Sequence, residues 1–224
     1  MQASSFEELH ALLVPFRGDK RWLFRGQSDA QWPLLPKAGR PQYSEVDDAL
    51  VFEAWKRQAI EFVSRVPASD WEWLAIAQHH GLATRLLDWS MNPLYAAFFA
   101  VRDNAERDAS ITAVKFKHKV VPEKAKPFEF KDVAIHLPQR VVPRITRQGG
   151  VFSIHPNPER PLTPKSSAIS EMKIITIPSS ARARLKAELS FYGVNALSLF
   201  PDLDGLAEFT NWSIESKEYW TKYG

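Results

Sequence analysis

The fold of this chain is decided by residues 78–93, which read QHHGLATRLLDWSMNP. Apolar segments flank this stretch on both sides. Residues 71–77 have the composition of a buried helix, and residues 94–101 are apolar all round, which is typical of a helix inside a core. Arg and Asp are rarely buried without a partner. We therefore expect Arg85 and Asp88 either to hold the joint between the two helices together or to line a pocket.

The composition fits one medium-sized globular domain. The chain has 224 residues, of which 45% are hydrophobic, and its formal net charge is +3. This length supports a sizeable core. The mildly basic charge permits an anionic ligand without demanding nucleic acid. No Cys is present, which excludes disulfides and thiolate chemistry. The sequence also lacks the spaced set of ligands that would indicate a structural metal site.

The sequence carries no signal for a membrane. Its amino terminus lacks the basic and apolar regions of a secretion signal, and no apolar run is long enough to span a bilayer. We therefore expect a cytoplasmic protein with no membrane partner. The sequence leaves open whether nucleic acid is bound, which oligomer forms and which macromolecule would be the target.

The first half of the chain contains several signals for the start or end of a helix. Ser5 and Ser69 each precede a glutamate by three residues, which is the pattern of a capping box. Asn92 is an N-cap with proline at the first helical position after it, and Gly81 suits the end of the central helix. These signals predict helices over residues 5–14, 44–66, 69–80 and 92–101.

Strand patterns dominate after residue 108. Residues 111–117 alternate like a strand with one face exposed to solvent. The other strand candidates are residues 21–24, 133–135, 151–154, 172–177 and 197–200, and the later helix candidates are residues 180–189 and 201–209. Helices first and strands later favour an α+β fold, with N-terminal helices packed on a mixed or antiparallel sheet.

Three segments of the chain resemble the FRG domain family, which is named after a Phe-Arg-Gly motif. The first segment, residues 22–28, contains Phe24-Arg25-Gly26. The second, residues 73–90, follows the family pattern Gln-His-Tyr-Gly-x-Pro-Thr-Arg-Leu-Leu-Asp-Trp-Thr, from which it departs at His80, Ala83 and Ser90. The third is residues 147–155. The resemblance covers nearly the whole chain and implies that residues 1–224 form a single FRG domain.

The order of these segments is also similar to NAD-dependent ADP-ribosyltransferases of the arginine-containing clade. Phe24-Arg25-Gly26 resembles the Arg-Gly that ends a first strand in those enzymes, and residues 87–100 resemble their Ser-containing strand and the helix after it. This resemblance implies an ADP-ribosyltransferase-like fold with NAD as the substrate. It also implies transfer of ADP-ribose to a macromolecule, or NAD hydrolysis, in a bacterial toxin or phage-defence context.

Gln148 stands where the same resemblance expects a catalytic Glu. That Glu would hold a ribose hydroxyl of NAD and stabilise the developing oxocarbenium ion, which a neutral amide does less well. A non-catalytic module that binds NAD or another nucleotide is therefore the alternative function. The resemblance assigns catalytic roles to Arg25, His79 and Gln148. The residues it assigns to ligand binding are Arg25, Gly26, Gln27, Arg85, Ser90 and Phe152.

Each assignment has a physical basis and a structural alternative. The planar guanidinium of Arg25 can fork onto a phosphate, but it could also pair with Asp88. Gly26 would let a ligand approach the backbone, and His79 could act as a general acid or base or cap its helix. Arg85 could contact the ligand or pair with Asp88. The residues that could offer flat faces to a ligand ring are Trp89, Phe152 and His155.

Overall fold

The fold centres on a six-stranded antiparallel sheet. The computed structural model describes residues 1–103, 106–119, 125–137 and 150–216. Within these residues the strands are β1 (Leu23–Gln27), β2 (Leu86–Ser90), β3 (Ala109–Phe116), β4 (Ala134–His136), β5 (Gly150–Ile154) and β6 (Ile169–Ile177). They lie in the order β4-β5-β2-β1-β3-β6, and each neighbouring pair is antiparallel.

The pairing in this sheet is uneven at its centre. β1 pairs with β3 over five register positions, from Leu23 opposite Val114 to Gln27 opposite Ser110. β1 and β2 meet at one register position, where Phe24 lies opposite Ser90. The backbone ladder is therefore thinnest between β1 and β2.

Helices pack against the sheet through two clusters of buried apolar residues. The described helices are α1 (Phe6–Leu13), α2 (Asp48–Ala59), α3 (Asp70–His79), α4 (Pro93–Val101), α5 (Ser179–Phe191), α6 (Ala196–Leu199) and α7 (Leu203–Glu215). None of these described helices has the length and apolar character needed to cross a membrane. The α+β class and the antiparallel sheet agree with the expectation from sequence.

The predicted helix caps are confirmed. The Ser5 side chain accepts from the Glu8 N–H at 3.2 Å, and the Ser69 side chain accepts from the Glu72 N–H at 3.3 Å. Asn92 accepts from the Leu94 N–H at 2.9 Å, which begins α4. Gly81 follows α3 with φ +83°, a left-handed conformation that ends the helix.

Three predictions about individual elements were wrong. The helix expected over residues 44–66 is shorter, because Asp47 caps α2 through the Ala49 N–H and Phe62, beyond its end, is 84% exposed. Residues 197–200 form no strand, because the Asn195 side chain caps α6 at the Ser198 N–H. β3 has no solvent-exposed face along most of its length, because β1 and β6 flank it and apolar residues cover both of its faces.

Helix α4 lies unusually close to β1. A Cβ atom at Gly26 would come within 1.9 Å of the Ala96 carbonyl oxygen and 2.6 Å of the Ala100 nitrogen. The absence of a side chain at this position is therefore required by helix packing, and not only by the approach of a ligand, as the sequence suggested. This close packing sets the distance between α4 and the strand that carries Arg25.

Candidate functional site

A cavity of about 640 Å³ opens over the centre of the sheet. This volume is typical of a site for a small molecule or cofactor. Its walls come from β1, β2, β5, the end of α3, one face of α4 with the two residues after it, Phe200, and the segment of residues 28–42. The cavity therefore lies over the same β1–β2 boundary where the backbone ladder is thinnest.

Most of the residues assigned from the sequence line this one cavity. They are Arg25, Gly26, Gln27, His79, Ser90 and Phe152. Two assigned residues are not among them. Arg85 is not part of the cavity wall, and Gln148 lies outside the described residues, although Gly150 lines the cavity.

Arg25 both pairs with Asp88 and faces the cavity. Its Nη1 donates to the Asp88 backbone carbonyl at 2.8 Å and lies 3.6 Å from the Asp88 Oδ2. The Arg25 side chain is 18% exposed, and its buried Nε has no hydrogen-bond partner. Burial lowers the pKa of Arg25, and Asp88 opposes that shift. Because an arginine stays protonated in proteins, Arg25 is a partly desolvated cation at the cavity wall.

Arg40 supplies a second guanidinium to the same cavity. Its charge also lowers the pKa of Arg25, which shows that the two cations repel each other. In the described part of the chain, Arg40 forms no ion pair. Arg40 gives no signal in the sequence, because it lies in a turn that has no recognisable motif. An anion between the two groups would relieve their repulsion.

Asp88 is held in place by two consecutive side-chain hydrogen bonds. The Thr84 hydroxyl donates to the Gln78 Oε1 at 2.5 Å, and the Gln78 Nε2 donates to the Asp88 Oδ2 at 2.7 Å. The Thr84 hydroxyl also accepts from the Leu86 N–H at 3.1 Å, which ties this chain of bonds to the start of β2. The amide of Gln78 therefore has a fixed orientation, with its donor directed at the carboxylate.

The expected pair between Arg85 and Asp88 does not form. Arg85 instead makes a bidentate pair with Asp48, at 2.8 Å from Nε and 2.6 Å from Nη2. Its guanidinium also lies 4.5 Å from the centre of the Phe128 ring. Residues three apart share a face of a helix but point to opposite sides of a strand, and Leu86–Ser90 is a strand. Two donors of Arg85, Nε and Nη2, are therefore occupied by Asp48 and do not reach Asp88.

Gln27 and Ser90 both have local structural contacts. The Gln27 amide donates to the backbone carbonyls of Trp32 and Pro33, at 3.2 and 3.3 Å, and so fastens the segment that forms one cavity wall. The Ser90 Oγ accepts from the Asn92 N–H at 3.0 Å in the turn that leads into α4. Both residues therefore shape the cavity in addition to lining it.

Aromatic rings form the apolar part of the cavity wall. Trp89 and Phe152 line it, as the sequence suggested, together with Phe99 and Phe200. Trp32, which was not among the predicted site residues, also lies in the wall and is 54% exposed. Its position in a turn immediately before Pro33 gave no signal of this role. The exposed indole offers a flat face at the edge of the cavity.

His155 does not present its ring to the cavity. It is 1% exposed, and its Nε2 lies 2.8 Å from the Ser153 Oγ, which accepts from the Trp89 Nε1 at 2.9 Å. Burial, with a smaller contribution from the Arg25 charge, lowers the pKa of His155 to about 4. The expectation of a ligand-stacking role for His155 was wrong, because this network turns the ring into the core.

His79 lies at the end of α3 and lines the cavity, whereas His80 is exposed. Their ring centres are 5.0 Å apart and the rings are nearly perpendicular, at 85°. Among the described residues, no group of three or more His, Asp or Glu side chains is placed to hold a metal ion. His79 places a histidine, a residue type that can act as a general acid or base, in this wall.

Comparison with known proteins identifies one family. Residues 20–109 match the family model described as the FRG domain. This region contains β1, β2, α3, α4 and the whole segment of residues 28–42, so it supplies most of the cavity wall. No curated protein and no solved structure matches the chain. The chain that carries Arg25, Arg40 and Asp88 in one cavity therefore contains an FRG domain.

Proposed function

We propose that this FRG domain binds NAD in the cavity and acts on it, by transferring ADP-ribose to a macromolecule or by hydrolysing NAD. The observation that carries the proposal is the pair of guanidinium groups. Arg25 has a buried Nε without a partner, and Arg40 repels it from the same wall. Two cations that repel each other at one cavity wall favour an anionic ligand.

A dinucleotide matches the rest of the cavity wall. Its diphosphate would offset the positive charges of Arg25 and Arg40. A guanidinium binds phosphate oxygens well through its planar set of donors. The exposed indole of Trp32 and the half-buried ring of Phe99 offer apolar faces to a base or a nicotinamide ring. The volume of about 640 Å³ is large enough for a ligand of this class.

The arrangement of the strands supports a reaction as well as binding. The three segments that resemble ADP-ribosyltransferases lie far apart in the sequence, yet β5, β2 and β1 are neighbours in the sheet. Arg25, Ser90 and Gly150, one from each of these strands, line the same cavity. An ADP-ribosyltransferase-like fold, with Arg25, His79 and Gln148 in catalytic roles, is part of this proposal. An NAD-consuming enzyme of this kind would serve as a bacterial toxin or a phage-defence effector.

A module that binds NAD or another nucleotide without turnover is the second candidate. The sequence favours it at one position, because Gln148 takes the place of the expected Glu. An amide can hold a ribose hydroxyl but cannot offset the charge of an oxocarbenium ion. The two functions therefore differ in whether NAD is consumed, and not in whether it is bound.

Arg25→Ala is the variant that tests the proposal. We expect wild-type protein to bind NAD in calorimetry, and Arg25→Ala to bind it about 10- to 100-fold more weakly, because a charged hydrogen bond to phosphate is lost. Labelled NAD incubated with cell extract measures turnover in the same preparations. Arg21→Ala is the control, because Arg21 lies on the same segment but is 79% exposed and pairs with Asp19.

The outcomes separate the candidates. Cleaved NAD or labelled macromolecules with wild type, and a loss with Arg25→Ala, support the enzyme. Tight binding without any product supports the module. Wild-type protein that neither binds nor consumes NAD would overturn the proposal.

The extent of the domain is also part of the proposal. The family match ends at residue 109, but β4, β5 and β6 lie in the same sheet as β1 and β2. Phe152 and Gly150, which lie beyond the matched region, line the same cavity as Arg25. These observations support one FRG domain over residues 1–224.

A further inference from the structure

We propose that Asp88 accepts a hydrogen bond from a ribose hydroxyl of the bound ligand, so that the cavity selects a phosphorylated ribose over a simple polyanion. The inference rests on the proposed function, since it concerns the same cavity and NAD as its ligand. It assigns to Asp88 a direct contact with the ligand, whereas the sequence left open whether Asp88 holds the joint between two helices together or lines a pocket.

The carboxylate of Asp88 is open to the cavity on one side. Its side chain is 54% exposed and belongs to the cavity wall. Oδ2 is engaged, since the Gln78 Nε2 donates to it at 2.7 Å and the Arg25 Nη1 lies 3.6 Å away. Within the described residues, Oδ1 has no protein donor. An ionised carboxylate only accepts hydrogen bonds, so Oδ1 is available to a donor from the ligand.

This carboxylate is fixed in place before any ligand arrives. Thr84 orients the Gln78 amide, and that amide holds Asp88. Arg25 adds a donor to the backbone carbonyl of the same residue, at 2.8 Å. A polar group held by its neighbours in this way binds its partner without first losing conformational freedom. The Thr84–Gln78–Asp88 arrangement therefore has the properties of a built acceptor.

The charges around Asp88 restrict the ligand class. Arg25 attracts an anion to a position a few ångströms from a carboxylate, and that carboxylate repels the same anion. A ligand that carries only negative charge, such as pyrophosphate, meets both effects. A ribose phosphate places a hydroxyl donor near its phosphate, so it can satisfy Arg25 and Asp88 at the same time. NAD has this combination of groups.

Asp88→Asn tests the inference because it should lower the affinity for one ligand without lowering the affinity for another. The Asn oxygen is drawn to the Gln78 donor, so a neutral amide faces the ligand. We expect NAD to bind about 10- to 100-fold more weakly, since a charged hydrogen bond is lost. Inorganic pyrophosphate should bind as tightly as before or more tightly, because a repelling charge has gone. Calorimetry with both ligands measures the two effects.

Two further variants provide the control and the positioning test. Asp103 also lines the cavity, so Asp103→Asn removes one negative charge from the same wall without touching the held carboxylate. It should leave the ratio of NAD to pyrophosphate affinity close to that of wild type. Gln78→Met removes the donor that orients Asp88, and we expect a smaller loss of NAD affinity with pyrophosphate binding unchanged.

The possible results distinguish this inference from the proposed function. Loss of NAD affinity in Asp88→Asn, without loss of pyrophosphate affinity, supports the inference. If wild type binds NAD and Asp88→Asn binds it equally well, or if both ligands weaken together, the inference is overturned and the proposed function stands. Wild-type protein that fails to bind NAD overturns both. Thermal melting of each variant confirms that the protein tested is folded.

Discussion

His136 and His155 are two buried rings whose pKa values are lowered in the folded protein. His136 stacks on Trp71, with ring centres 4.4 Å apart, and its Nδ1 has no hydrogen-bond partner. Burial lowers the pKa of each histidine to about 4. The unfolded chain therefore binds more protons than the folded protein between about pH 4 and the ordinary histidine pKa of about 6.5. The stability that depends on these rings is complete above that range and declines as the pH falls through it.

We expect His136→Phe to reduce this acid sensitivity. Phenylalanine keeps the stacking on Trp71 but cannot be protonated, so the free energy of unfolding should change less steeply between pH 4 and 6.5. One histidine accounts for at most about 1.4 kcal/mol per pH unit. Urea unfolding of wild type and variant at several pH values measures the difference, to which the other titrating groups contribute equally. Identical slopes in the two proteins would contradict the prediction.

At the scale of single residues, a side chain placed by a motif was predictable, and one whose partner had to be inferred from spacing alone was not. Arg25, which precedes a glycine after a predicted strand, was expected either to bind a ligand or to pair with Asp88; it lines the cavity and also contacts Asp88. The predicted pair between Arg85 and Asp88 does not form, because residues three apart lie on the same side of a helix but not of a strand. Arg40 could not be found, since a turn arginine without a motif resembles any solvent-exposed cation.

The contact between α4 and β1 is the critical one at the scale of elements. The backbone of α4 approaches Gly26 so closely that even a methyl group would overlap the Ala96 carbonyl oxygen, at 1.9 Å. Both atoms belong to backbones that are fixed by their own hydrogen bonds. A side chain at this position would therefore displace a whole helix, and the displaced helix would carry Phe99 in the cavity wall with it.

Gly26→Ala should destabilise the protein by about 1–3 kcal/mol or more, which is the usual cost of overpacking a core. Gly18→Ala is a matched control, because nothing lies within 4 Å of the Cβ that it would add. Chemical denaturation of the two variants and wild type gives the comparison. Equal stability of Gly26→Ala and Gly18→Ala would show that α4 adjusts without cost.

The elements with strong local signals were predictable, and those that depend on distant packing were not. The side chains of Ser5, Ser69 and Asn92 cap their helices as the sequence indicated. The early end of α2 was not predictable, because an apolar pattern continues through Phe62 although no core covers that residue. For β3, the charged residues near its end suggested an exposed face, but its neighbours in the sheet and the packing above and below decide its burial.

At the scale of the whole molecule, Arg182 joins segments that are distant in the sequence. This buried side chain of α5 donates to the backbone carbonyls of Ser28, Ala100, Asp103 and Arg107, at 2.6 to 3.1 Å. Two of these residues, Ser28 and Asp103, line the cavity. The sequence shows Arg182 only as one more charge on a helix, because its partners lie 75 to 154 residues away. Connections of this length cannot be read from local patterns.

Arg182→Met should cost roughly 3–5 kcal/mol, because it leaves several buried carbonyl groups without donors. Arg184→Met is the matched control on the same helix. Arg184 is 66% exposed and lies 3.8 Å from Glu188, and an exposed pair of this kind contributes about 0–1 kcal/mol. Denaturant unfolding of both variants provides the measurement. A loss in Arg182→Met no larger than that in Arg184→Met would contradict the structural role of Arg182.

The single register position that joins β1 to β2 has a consequence for the molecule as a whole. It divides the sheet into two halves, β4-β5-β2 and β1-β3-β6, and the contact from Arg25 to Asp88 crosses that seam. A molecule held by both side chains would bridge the halves where the backbone joins them least. Binding of such a molecule would therefore also hold the two parts of the sheet together.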